Sequence, residues 1–125
     1  MISYDELGVM LDEIADGMPD DLYRELNGGV ILLPDTKVHP VSSGADNLFI
    51  MGEYHNQPLG LGRYITVYYG SFIRVYGYYE PERQKEELRK IVYHEFTHHL
   101  ESLAGDRSLE IQDAIDIAKY KQRLR

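Results

Sequence analysis

The stretch "PERQKEELRKIVYHEFTHHLESLAG", residues 81–105, decides the fold. Proline suits the first turn of a helix, because its missing N–H would have no partner there. Charged helix formers follow, then apolar residues at helical spacing, and Gly105 is suited to the position just past a helix end. The spacing predicts one helix over 81–105. Leu88, Val92, Phe96 and Leu103 share one side of it, so this helix needs a core to lie against.

Inside it, His94, Glu95, Phe96, Thr97 and His98 match the pattern H-E-x-x-H. Residues four apart lie about 40° from one another on a helix, so two imidazoles can address one ion. Glu95 sits about 100° round from His94, placed to reach a water beside the ion rather than the ion itself. Zinc lowers the pKa of such a water to about 7, and the glutamate takes its proton. Two histidines do not complete a catalytic zinc site, which takes three protein ligands. Glu101 has the right bearing, about 20° from His94, but lies about 7 Å along the axis from a metal centred between the histidines. Direct coordination and a supporting role both stay open for it. Asp106 follows Gly105, where the chain can reverse toward the metal, and is our expected third ligand. Glu110 and Asp113 are further candidates. His99 falls with the apolar side and is expected to be a buried, hydrogen-bonded histidine.

Upstream, Ser3 and Glu6 form a capping-box pair, and Leu7, Met10, Leu11 and Ile14 recur at helical spacing. This gives a helix ending near Gly17, with Pro19 opening a short second one, "PDDLYREL". "VILLP" (30–34) reads as a buried strand and "KVHPVSSGADN" (37–47) as a loop. "LFIMGEY" (48–54) is another strand, and "NQPLGLG" (56–62) a connection. "RYITVYYGSFIRVYGYY" (63–79) is dense in aromatic and β-branched residues, a strand at least over 64–69, with Gly70 a bulge or a turn. Its tyrosines are expected to pack on sheet and core rather than form a binding platform. "DRSLEIQDAIDIAKYKQRLR" (106–125) reads as a final helix. The expectation is an α+β domain spanning 1–125, with about three strands packed against the motif helix and helices flanking them.

A chain of 125 residues has room for one core. Its formal net charge of −8 argues against a nucleic-acid partner, which selects for basic surface. There is no cysteine, which excludes disulfides, thiol catalysis and thiolate ligands. No secretory signal and no stretch long enough to cross a bilayer are visible, so the expectation is a cytoplasmic protein without membrane attachment.

"HEFTHHLESLAGDRSLE", with "NGGVILLPD" and "GRYITVYYGSFIRVYG" more loosely, resembles the small zincin-like metallopeptidases of bacteria, the minimal zincins. The resemblance covers most of the chain from residue 27 onward. It implies a small twisted sheet with the active-site helix behind it, and an edge strand beside the metal that can pair with a peptide. "RYITVYYG" (63–70) is our candidate for that edge. The group's pattern continues H-x-x-G-x-x-D, with the aspartate as third ligand. Here Glu101 and Ala104 occupy those two places, and Gly105–Asp106 supply a displaced Gly–Asp pair.

The expected function is a zinc-dependent peptidase acting on a peptide or protein substrate. His94, His98 and Asp106 would hold the metal and Glu95 would be general base. Tyr68, Tyr69 or His55 are candidate oxyanion donors, although sheet packing is the commoner role for each tyrosine. His55 and His39 otherwise read as surface loop residues. A metal-binding interaction protein without peptidase activity is the alternative, and a metal-dependent RNA hydrolase a further one that the acidic charge disfavours. Glu95 itself argues for catalysis, since a structural zinc needs no base.

Overall fold

A computed structural model describes residues 1–40 and 48–105. The final helix expected over 106–125, and with it Asp106, Glu110 and Asp113, lies outside the described residues. In order come helix α1 (Tyr4–Asp16), a short 3-10 turn (Asp20–Tyr23), and strands β1 (Gly29–Leu33), β2 (Lys37–Val38), β3 (Phe49–Ile50), β4 (Gly52–Gln57) and β5 (Gly62–Tyr68). Helices α2 (Tyr69–Tyr76) and α3 (Pro81–Gly105) follow, giving an α+β fold. No helix among the described residues is long and apolar enough to cross a membrane.

The capping box forms as expected: Ser3 accepts from the Glu6 backbone and the Glu6 carboxylate accepts from the Ser3 backbone. The main sheet has the order β1-β5-β4, with β1 parallel and β4 antiparallel to the central β5. β2 and β3 form a separate antiparallel ladder. Side chains alternate across a strand, so the register sorts the sheet into two faces. Val30, Leu32, Ile65 and Val67 face one way and join Leu7, Leu11 and Ile14 of α1 and Leu88, Val92 and Phe96 of α3 in a single core. The opposite face carries Tyr64, Thr66 and Tyr68 of β5 beside His55 and Glu53 of β4.

Several expectations need correction, among them the loop expected over 37–47, which opens with the paired strand β2. "RYITVYYG" is the central strand rather than an edge, because Ile65 and Val67 are buried on one face while Thr66 and Tyr68 are buried on the other. β1, expected to be buried, is an edge strand whose residues are all half-buried. The aromatic run turns helical at Tyr69, and Gly70 is neither bulge nor turn. A Cβ at Gly70 would lie 2.1 Å from Thr36 Oγ1 and 2.8 Å from the Asp35 backbone, so glycine lets α2 start against the β1–β2 connection. Next to it, buried Ser71 receives the Lys37 N–H and donates to the Lys37 carbonyl, which pins the helix start.

Candidate metal centre

α3 runs alongside β4 in the same direction. Gly52 lies by Ile91 and Glu95, Tyr54 by His99, and Asn56 by Ser102. The approach at the first of these is close. A Cβ at Gly52 would stand 3.1 Å from Ile91 Cγ2 and 3.3 Å from Glu95 Cγ, so the glycine makes room for Glu95 against the strand. A glycine within a strand is itself a sign of such an approach, and it is the one signal from which this position was legible in the sequence.

His99 locks the next contact. It is fully buried, and its Nε2 lies 2.8 Å from the Arg24 carbonyl, which can only accept, so Nε2 carries the proton. Nδ1 is therefore the acceptor for the Tyr54 hydroxyl at 2.9 Å. Burial pushes this imidazole below its usual pKa, more than the hydrogen bond to Arg24 raises it, in keeping with a neutral ring. Both ring nitrogens are thus engaged within the fold, as expected of a histidine on the apolar side. Through this one ring α3 is tied to β4 and to the turn before β1.

On the next side of α3, His94 Nε2 and His98 Nε2 converge to 3.3 Å. Two nitrogens on a tetrahedral zinc, each about 2.0–2.1 Å from it, stand about 3.4 Å apart. The pair is therefore spaced to grip one ion. Glu95 is buried, with Oε1 4.0 Å from His98 Nε2, and the donor atoms of His94, Glu95 and His98 all lie within 4.8 Å of one another. That separation suits a water between Glu95 and the metal position, and the three residues stand together as the motif's spacing predicts.

Glu101 lies on the same side of α3, one turn beyond His98, and the helix is continuous past it to Gly105. Its Oε1 is buried and has no hydrogen-bond partner among the described residues. A buried carboxylate oxygen is costly unless a proton donor or a cation meets it. Glu101 is not part of the cluster of donor atoms formed by His94, Glu95 and His98, but its orphaned oxygen on the same side of the helix fits a role toward a cation better than it fits packing alone.

The expected oxyanion donors are placed elsewhere. His55 lies within β4 rather than in a loop, stacked on Tyr64 with ring centroids 4.4 Å apart, and its Nε2 is 2.9 Å from Thr66 Oγ1. Thr66 donates to the Tyr68 hydroxyl, and Tyr68 donates to Glu53, which also pairs with Lys37. All of these stand on the sheet face opposite α3, because they alternate with Tyr54, Ile65 and Val67. Tyr69 donates to the Ile2 carbonyl at the start of the chain. His39 lies at the exposed end of the β2–β3 ladder, its N–H bonded to the Leu48 carbonyl.

No family model matches the chain, and no curated protein matches it. Among solved structures it is similar to a conserved hypothetical protein from Thermus thermophilus, at 33% identity and a TM-score of 0.70. That match covers 84% of this chain and 100% of the other.

Proposed function

The chain belongs to the same family as that Thermus thermophilus protein, and on the geometry of its metal centre we propose that it is a zinc-dependent peptidase of the minimal zincin kind. The observation that carries the proposal is the convergence of His94 Nε2 and His98 Nε2 to 3.3 Å beside a buried Glu95. His94 and His98 would hold the ion through Nε2, with their Nδ1 atoms protonated. A carboxylate completes the set: Asp106 is the candidate from the motif's pattern, and Glu101 the described candidate whose oxygen lacks a partner among the described residues. Zinc held there supplies Lewis acidity, so that a water gives up its proton near neutral pH.

With the ion held there, Glu95 would serve as general base toward the attacking water and then as general acid toward the departing amine. Burial keeps its carboxylate out of bulk solvent, and Gly52 lets it stand between α3 and β4. Among the described residues β4 pairs only with β5, so its outer edge can receive an extended peptide through main-chain hydrogen bonds. β4 thereby replaces residues 63–70 as the candidate substrate edge. A cytoplasmic location belongs to the same proposal, with cell fractionation as its check. The reading as a whole is tested by Glu95→Gln, which should bind zinc like the wild type and lose at least about 100-fold in peptide cleavage, the scale of general-base catalysis. Unchanged turnover would remove Glu95 from the mechanism.

A further inference from the structure

The second edge of the main sheet, β1, lies across the sheet from the edge strand β4. The Tyr68 N–H bonds to the Met51 carbonyl, so Tyr64, Thr66 and Tyr68 of β5 direct their main-chain groups to β4. Ile65 and Val67 direct theirs to β1, where the register has Gly29, Ile31 and Leu33 bonding back. Val30 and Leu32 therefore turn their N–H and C=O groups to the outer edge. The Tyr4 hydroxyl reaches the Leu32 carbonyl from that side, at 2.7 Å. The Val30 N–H and C=O and the Leu32 N–H have no partner among the described residues. A row of such groups is a template for a further strand.

Beside this edge, two clefts of about 270 and 330 Å³ run along α1 and meet at Val30. Gly8, Leu11, Ala15 and Leu32 give them an apolar floor, and Asp5, Asp12, Asp16 and Asp20 line them as well. The first three aspartates lie within about 40° of one another on the helix. None of the four makes an ion pair among the described residues. Residues 1–23 hold seven acidic side chains and no lysine or arginine, which is nearly all of the formal net charge of −8. Two copies meeting edge to edge would bring these carboxylates together, so charge disfavours self-pairing and favours a cationic strand.

We propose that the β1 edge binds an extended peptide segment of another protein, with lysine or arginine at alternate positions. The segment adds as a strand outside β1, its main chain meeting the open groups of Val30 and Leu32. On its α1 side the cationic side chains lay their stems on the apolar floor and their charges against the aspartates. The site lies outside the metal centre and does not rest on the peptidase reading.

The probe is a capped heptapeptide of alternating lysine and valine, and its control has glutamate in place of lysine. The lysine peptide should bind at least about 10-fold tighter at low salt, and added salt should narrow the difference. Amide exchange followed by NMR should show the Val30 and Leu32 N–H groups slowed when the peptide is bound. Val30→Pro removes an N–H that β5 does not use, a change edge strands tolerate, and should weaken binding. If that variant does not fold, the exposed pair Asp12→Asn and Asp16→Asn together should weaken binding at least about threefold. Equal binding of the two peptides, binding that the aspartate changes leave intact, or binding without protection of Val30 and Leu32 would overturn the proposal. Slow exchange of both amides without peptide would overturn it too. Such protection would assign the edge to the chain itself if independent of protein concentration, and to a second copy if it rises with concentration.

Discussion

Replacing His99 by leucine separates a histidine that holds the fold from one that holds the metal. The substitution keeps an apolar group of similar bulk in the core but removes two hydrogen bonds, from Nε2 to the Arg24 carbonyl and from the Tyr54 hydroxyl to Nδ1. Each group left unpaired costs about 1–3 kcal/mol when buried. Arg24 is exposed and Tyr54 half-buried, so water can recover part of the loss, and the sum comes to about 2 kcal/mol. For a domain of this size that corresponds to a melting temperature lower by roughly 8 °C. Calorimetry of metal-free wild type and His99→Leu measures the shift directly, and Tyr54→Phe should give about half of it. A zinc titration of the folded variant should then show affinity within a few-fold of wild type. An unchanged melting temperature would refute the lock. Loss of zinc binding in a variant that folds normally would show that His99 acts at the metal.

Two other predictions follow from the carboxylates. Glu101→Gln should weaken zinc binding by about 10–100-fold, the range seen when a group supporting or completing a metal site is lost. Titrating Asp106→Asn in parallel decides which carboxylate matters more, and wild-type affinity in Glu101→Gln would leave its buried oxygen without a role at the metal. Acid should destabilise the fold in two stages. Burial pushes His55 below its usual 6.5, so the unfolded chain takes up that proton first and stability falls as pH drops below about 6.5. For Glu53, burial raises the pKa but the bonds from Lys37 and Tyr68 outweigh it, leaving it below 4.5. Its contribution is present above 4.5 and is lost as pH falls through the folded-state value. The melting temperature should therefore decline from pH 7 to pH 4, with Glu53→Gln flattening the lower part, whereas a rise on acidification would contradict both assignments.

How much of this was legible depends on whether the chain's local preferences and its packing agree. In α3 they do: helix formers, apolar spacing and the terminal glycine all point the same way, so the position of His94, Glu95 and His98 on one element could be read directly. α1 was legible for the same reason, its capping box fixing the start. At Tyr69 they disagree. An aromatic, β-branched run prefers a strand, but Ser71 and Gly70 dock against residues 35–37 and impose a helix instead. The edge was misjudged because "YITVYY" was weighed for β-propensity rather than for its lack of polar alternation. An uninterrupted apolar run marks a strand buried on both faces, whereas β4, with Glu53, His55 and Asn56, carries the polar residues of an edge. The third ligand was not legible, since it depends on the path of the chain after Gly105 rather than on any local pattern.

The account stands most directly on the metal itself. Protein purified without added metal, stripped and then titrated with zinc, should take up about one ion per chain at sub-micromolar concentration, as a site with three protein ligands does. His98→Ala, which removes one arm of the 3.3 Å pair, should lose that uptake while keeping the wild-type fold by circular dichroism. Absence of zinc binding at micromolar levels in the wild type, or full uptake by His98→Ala, would contradict the central claim.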